Sequence, residues 1–545
     1  MPFPRLRRIF ARRCSTAGSR GACLAALFLL GCGSSDRAPG AESRAGAGPT
    51  PGAAGEAGSV SGGDGGGSAA TSGGGASAGA THGGATSGGA TSGGATSVSA
   101  GSGGTAAGGA AGDASSGSAG AAGMRPMATC SEQPIRTGPP PGKEAFAAQP
   151  IDDRFPFSTH WMGVFSDSMA NEATRYVSMT SLADFDHDGD LDFASGQRHD
   201  VGGGMVFWEY CGADHWVRRS VGTGHRSAAG GNAVDVDGDG WVDLLAGDSW
   251  YRNPAPPGAA AWARSSIGAP GAEELIVGEV TSDTKPDVLY VWRSINPQFW
   301  TPGADPTTPW ERVELTTDTS KRQQQGGAIA DIDGDGRDDI VVGYQWWYRN
   351  VNPDGRTWTA VPLLASGFDN EPLTHVGDID GDGDVDVVMC THFGSSAGSS
   401  RVAWAENEDG RGTSWSLHPI ASGKSFTHAI VSADFDNDGD LDVFVGQNVG
   451  EQWIFENTDG RGTFAEHRIA ADSRGHEARV GDVDCDGDLD IAGKPWGQQN
   501  EGGEQANPPR DHVYLKNELV ERGGAPRHTL GRYEVLPATR ARSCR

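Results

Sequence analysis

Six stretches of this chain repeat one arrangement of carboxylates, Asp at positions 1, 3, 5 and 9 with Gly at position 6, and each then runs into apolar residues. The first holds Asp184, Asp186, Asp188 and Asp192, and the second Asp235, Asp237, Asp239 and Asp243. The third holds Asp331, Asp333, Asp335 and Asp339, and the fourth Asp378, Asp380, Asp382 and Asp386. The last two hold Asp434, Asp436, Asp438 and Asp442, and Asp482, Asp484, Asp486 and Asp490. Hard oxygen donors at alternating positions suit Ca2+, which accepts six to eight oxygens in flexible geometry. The Gly allows the chain to double back with positive φ. The closing carboxylate comes at position 9 with β-type residues after it, so an EF-hand is the wrong analogy. Four carboxylates this close repel one another without a counter-ion, and the expected cofactor is Ca2+ at about six structural sites.

The elements that must position these loops follow from their spacing. First carboxylates fall at 184, 235, 331, 378, 434 and 482, and the double gap after 235 holds a degenerate copy from Gly278 that keeps Glu279, Asp283 and Asp287 but loses the turn Gly. That makes seven units of roughly 50 residues, the degenerate one expected not to bind metal. In the sixth unit, Thr427 to Ala433 reads as a strand, Leu441 to Gly446 as a second, Gln452 to Asn457 as a third and Thr463 to Ile469 as a fourth. The fold class is therefore all-β: a seven-bladed β-propeller with four-stranded blades, closing a ring without long exposed edges. A second periodicity fixes the register, because an apolar residue stands three before a recurrent Asn: Trp250 and Asn253, Trp347 and Asn350, Trp404 and Asn407, Ile454 and Asn457, Tyr514 and Asn517. In the first unit Trp208 precedes Cys211, which takes the place of the Asn. These tryptophans are expected between blades.

With D-x-D-x-D-G-x-x-D repeated before β-strands, the units over about 173–537 resemble FG-GAP or VCBS repeats of integrin-like propellers. The resemblance implies that the loops join the first and second strands of each blade on one face, and that the Asp residues named above are ligands. The opposite face would then carry function. Residues that converge there are Arg198, His199, Glu273, Arg293, Gln325, Trp346, His392, His428, His476, Lys494 and Trp496, a mix suited to a polar ligand pocket. His428 and His476, on neighbouring blades, are the candidates for acid–base work or a transition metal.

Composition bounds the rest. The chain has 545 residues with a formal charge of −28, and the six loops hold 29 of its 71 acidic residues, so nucleic acid and anionic lipid are excluded as partners. Arg5 to Arg13 and the apolar run Ala22 to Leu30 read as an export signal over 1–31, and Leu29-Leu30-Gly31-Cys32 resembles a bacterial lipobox, which implies lipidation at Cys32. Residues 32–123 are almost wholly Gly, Ala, Ser and Thr and read as a disordered tether, about 50 Å in r.m.s. span. Residues 124–172 are transitional, with Trp161, Met162, Val164 and Phe165 able to form a stray strand, and 173–545 is the propeller. Besides Cys32, five cysteines remain after the signal, Cys130, Cys211, Cys390, Cys485 and Cys544, and they cannot all pair. No familiar catalytic motif occurs. The expected role is a monomeric, exported outer-membrane or cell-surface lipoprotein, touching the membrane only through its anchor and binding a glycan or cell-surface protein. The alternative is a calcium-dependent propeller enzyme acting on sugars, of polysaccharide lyase or sugar dehydratase type.

Overall fold

The computed structural model describes residues 130, 150–164, 177–197, 204–225, 230–258, 260–271, 274–292, 295–322, 325–368, 372–392, 401–424, 427–447, 450–473, 475–494 and 511–526. The export signal, Cys32 and the Gly-rich tether lie outside the described residues.

Seven antiparallel four-stranded sheets form the seven blades. Blades 1 to 6 span 177–223, 231–266, 274–314, 327–362, 372–422 and 427–473, each pairing its strands in chain order. Blade 7 is composite. Its first three strands are His476–Gly481, Asp490–Lys494 and Asp511–Asn517, and its outer strand is Phe157–Val164, paired from Phe157↔Asn517 to Val164↔Asp511. The transitional segment thus supplies the strand that closes the ring, and the propeller begins earlier than residue 173. First strands of successive blades touch all around the ring, with Val177–Ala183 against His476–Gly481 completing it. A closed ring leaves no long sheet edge to template aggregation.

Why these residues make this ring is visible between the sheets. Trp250, Trp347, Trp404, Ile454 and Tyr514 are at most 3% exposed and fill the spaces between blades. Trp347 of blade 4 also donates through Nε1 to the carbonyl of Gly412 in blade 5, at 3.0 Å. Gly412 has φ of 65°, and a Cβ there would lie 2.6 Å from the Trp347 ring, so this turn requires glycine. The degenerate third unit forms a complete blade, its core filled by Leu289, Phe299 and Val313.

A disulfide joins Cys130 to Cys211 at the end of the third strand of blade 1. Cys485 is also disulfide-bonded, whereas Cys390 is a free thiol with no exposure, its pKa pushed up to about 12 by burial.

Candidate functional site

Each acidic loop lies between the first and second strands of its blade, and the position-9 Asp is the first residue of the second strand. That Asp is a backbone staple. In every blade one of its oxygens accepts the N–H of position 2, as in Phe185 to Asp192 at 3.1 Å, Ile379 to Asp386 at 3.0 Å and Val483 to Asp490 at 2.9 Å. The other oxygen accepts the N–H of the recurrent Asn: Asn253 to Asp243 at 2.7 Å, Asn350 to Asp339 at 2.7 Å, Asn407 to Asp386 at 2.9 Å, Asn457 to Asp442 at 2.9 Å and Asn517 to Asp490 at 2.8 Å. The Asn side chain then reaches the preceding blade. Nδ2 donates to the position-2 carbonyl there, from Asn253 to Phe185, Asn350 to Val280, Asn407 to Ile332, Asn457 to Ile379 and Asn517 to Phe435, all at 2.8 to 3.1 Å. Loop, strand and neighbouring blade are thereby locked by one Asp–Asn pair in blades 2, 4, 5, 6 and 7.

Blade 1 corrects the register read from sequence. Asp192 accepts from the N–H of Tyr210, and Trp208 pairs with Phe193, so Tyr210 and not Cys211 stands at the Asn position. The contact to the preceding blade is made instead by the Leu191 N–H, which donates to the Val483 carbonyl at 3.1 Å.

The loop backbone bends twice. The position-6 glycines have φ between 90° and 111°, as their placement predicts. Position 4 is left-handed too, at His187, Gly238, Gly334, Gly381, Asn437 and Cys485, a requirement the repeat pattern did not disclose. The degenerate loop keeps both bends with Ser282 at 52° and Thr284 at 71°, and Glu279 accepts the Thr284 N–H at 2.8 Å as the first Asp does elsewhere.

Carboxylates of positions 1, 3 and 5 converge in the loops of blades 1 and 2, and those of positions 1, 3 and 9 in the loop of blade 4. One oxygen from each of Asp184, Asp186 and Asp188 lies within 4.8 Å of the others, as do those of Asp235, Asp237 and Asp239, and of Asp331, Asp333 and Asp339. Asp184 Oδ1, Asp186 Oδ2, Asp333 Oδ1, Asp378 Oδ1 and Asp484 Oδ1 are buried and accept no hydrogen bond, a state that protein interiors avoid. Burial, with Asp188 adding to it, raises Asp184 to about 6, and burial with Asp188 and Glu209 raises Asp186 to about 7. Burial lifts Asp243, Asp339 and Asp386 to about 8 in spite of their amide donors. An all-oxygen cluster with unsatisfied buried lone pairs fits a hard divalent cation.

The residue just before the recurrent Asn divides the loops. In blades 2, 4 and 7 it is a cation: Arg252 reaches Asp237 at 2.5 Å and Asp239 at 3.0 Å, Arg349 reaches Asp333 at 2.5 Å, and Lys516 contacts Asp484 and Asp486. In blades 1, 5 and 6 it is Glu209, Glu406 or Glu456, each held from the outer strand by a base, Arg219 at 2.9 Å, His418 at 2.7 Å or His467 at 2.9 Å. Blade 6 adds a cation from outside its own sheet, since Arg154 contacts Asp436 and lies 2.8 Å from Glu456. The division is present in the sequence as the residue before the Asn in the five units that carry one.

At the opposite end, several of the expected residues gather. His392 follows the second strand of blade 5, His428 opens the first strand of blade 6, and His476 and Lys494 are paired across the first two strands of blade 7. Ring centroids lie 4.2 Å apart for His392 and His428, and 3.4 Å for His428 and His476, which stack. Lys494 Nζ is 2.7 Å from His476 Nδ1 and 3.5 Å from Glu477. Behind them, burial and the Lys494 charge lower His512 to about 3. Trp346 instead packs on the core of blades 3 and 4 with Lys321 over its ring, and Gln325 is 5% exposed. Arg198, His199, Glu273, Arg293 and Trp496 lie outside the described residues.

Fold and loops define an acidic-loop β-propeller. Residues 331–389, 378–445 and 434–493 each match the FG-GAP-like repeat, so across 331–493 this chain is built of FG-GAP-like repeats. No curated protein matches the chain. Solved structures similar to it include the rhamnogalacturonan lyase YesW, 13% identical over 64% of this chain and 62% of that one, with a TM-score of 0.32. A Bacillus licheniformis rhamnogalacturonan lyase is 12% identical over 68% and 74%, with a TM-score of 0.36. Chaetomium thermophilum Sqt1, solved bound to the N-terminus of a ribosomal protein, is 13% identical over 63% and 97%, with a TM-score of 0.38. The chain thus spans under two thirds of the length of YesW. Likenesses this distant carry no functional argument.

Proposed function

We propose that this protein is an exported, lipid-anchored propeller that binds Ca2+ in its acidic loops for rigidity and recognises a glycan or cell-surface protein at the other end. The observation that carries the reading is the division of labour along the axis. Buried, unsatisfied carboxylate oxygens recur at one end, where the Asp–Asn staples hold every blade, while imidazole, ammonium and carboxylate groups of blades 5 to 7 meet at the other. A second reading, a propeller enzyme acting on sugars, is favoured by the contact of His476 with Lys494 and Glu477, groups able to move a proton.

One preparation of residues 124–545 tests both, with Ca2+ and with EGTA. Retention on a glycan or protein array that requires Ca2+ supports recognition. Turnover of a uronic-acid polysaccharide that disappears in a His428→Ala, His476→Ala double variant of unchanged stability supports the enzyme. Silence in both screens removes both readings, and a melting temperature indifferent to EGTA removes the structural calcium.

A further inference from the structure

Nitrogen donors concentrate at the end of the propeller away from the acidic loops. His428 sits at a register shift between Thr427 and Ala429, and Glu477 within a second shift between His476 and Arg479. Such bulges turn a side chain out of the regular pleat. Glu477 also has φ of 51°, a conformation that costs a β-capable residue energy and persists where its surroundings impose it. Its carbonyl is held by Thr180 Oγ1 of blade 1 at 2.8 Å, which anchors the bulge across the ring closure. The two distortions bring one ligand atom from each of His428, His476 and Glu477 within 4.8 Å of one another.

We propose that His428, His476 and Glu477 form a site for a borderline divalent transition metal of the Zn2+ class, bridging blades 6 and 7. Two imidazoles and a carboxylate are the donor set that Zn2+, Co2+ and Ni2+ prefer and that Ca2+ does not. A four-coordinate ion with bonds near 2 Å holds its donors roughly 3.3 Å apart, a spacing that side-chain rotation reaches from the separations seen. Three protein ligands leave a position open, the arrangement of a site that takes a further ligand. His392, with its ring 4.2 Å from that of His428, stands beside that position.

Lys494 is the resident competitor. It is fully buried, and its Nζ lies 2.7 Å from His476 Nδ1 and 3.5 Å from Glu477. Its ammonium beside a ligand imidazole and a ligand carboxylate opposes a second positive charge at the site. The nitrogen site does not depend on calcium in the acidic loops, and either can fail without the other.

Co2+ is the probe, added to protein held in excess Ca2+ so that the acidic loops are already filled. The expected result is one equivalent bound, with the intense visible absorption of low-coordinate, nitrogen-ligated Co2+. His428→Gln and His476→Gln each weaken binding by roughly a hundredfold and leave the calcium-dependent melting temperature in place. Lys494→Met keeps the absorption band and tightens binding, because the opposing ammonium is gone. His428 is only partly buried, so its variant serves if that of His476 does not fold. Absence of binding to the wild-type protein, binding unchanged in the His428 variant, or Co2+ displaced by Ca2+ would each overturn the proposal.

Discussion

The loops of blades 1 and 5 differ from those of blades 2, 4 and 7 in the sign of the charge that stands just before the Asn position, on a common backbone. In the first group Glu209 and Glu406 stand over the cluster, and each adds to the repulsion that, behind burial and a neighbouring Asp, raises Asp186 and Asp380. In the second group Arg252, Arg349 and Lys516 lie among the carboxylates themselves. Blade 6 belongs with the first by its Glu456 and with the second by Arg154, which arrives from the segment ahead of the closing strand. A bound cation is thus an internal matter in some blades and a demand on solution in others. Under the calcium reading, blades 1 and 5 hold the tight sites and blades 2, 4 and 7 the weak ones.

Chelation acts on every loop at once and tests the comparison by its size. With a site affinity near 0.1 mM and about 1 mM Ca2+, each filled loop stabilises by about 1.4 kcal/mol. Six equal loops would contribute on the order of 8 kcal/mol and the two loops of blades 1 and 5 on the order of 3. EGTA should therefore lower the melting temperature, and equilibrium dialysis at 1 mM Ca2+ should find nearer two ions than six. Six equivalent ions would erase the distinction between the groups.

A next loss isolates the staple from the ion. Asp386→Ala strands the buried N–H groups of Ile379 and Asn407, at a cost of about 2–6 kcal/mol for two unsatisfied buried donors. Because the bonds are to backbone, chemical denaturation should show most of that loss in EGTA as well as in Ca2+. A variant destabilised only in Ca2+ would make Asp386 a ligand first and a staple second.

Much of this was legible in the sequence because the repeat is a pattern of identities. D-x-D-x-D-G-x-x-D located six loops, and the Trp-x-x-Asn spacing located the strand that packs between blades. Three features were not legible, for physical reasons. The closing strand Phe157–Val164 carries no repeat signature, since an outer strand is chosen by pairing and burial and not by loop chemistry. The Asn side chain satisfies a carbonyl some 70 to 80 residues earlier in the chain, a contact that no local pattern encodes. Cys211 was mistaken for the Asn position because blade 1 lacks the Asn, and only the pairing of Phe193 with Trp208 fixes the register.

Raised carboxylates in both groups make the metal-free protein pH-dependent, Asp243 and Asp339 of blades 2 and 4 standing at about 8. Asp184, Asp186 and Asp384 have folded-state values of about 6, 7 and 7, raised first by burial and then by neighbouring carboxylates. A carboxylate whose value is higher folded than unfolded keeps its proton longer in the folded state, so stability declines as pH rises from about 4 through 7. In EGTA the protein should unfold more readily at pH 8 than at pH 5, and saturating Ca2+ should flatten or reverse the slope, as urea midpoints would read. Glu209→Gln, Glu406→Gln protein should show a shallower slope in EGTA, and an unchanged slope would detach those glutamates from the clusters.

The smallest effect is the most direct test of the comparison, because it exchanges the charge ahead of the Asn and leaves position 7, Arg337 in blade 4 and Asp384 in blade 5, as it is. Arg349→Gln removes a cation 2.5 Å from Asp333 and leaves the amide staple at Asn350 intact. Glu406→Gln removes a carboxylate from the cluster of blade 5 and leaves Asn407 in place. A single part-exposed charge changes binding by about 1 kcal/mol, or roughly fivefold in affinity. Titration with luminescent Tb3+ as the calcium surrogate should therefore show a site gained or tightened in Arg349→Gln and one weakened in Glu406→Gln, in opposite directions from a common wild-type curve. Shifts in the same direction would mean that both residues act on the fold of the loop and not on its charge. No shift in either would mean that the resident cations step aside at no measurable cost, and the seven blades would then differ in sequence but not in their demand for metal.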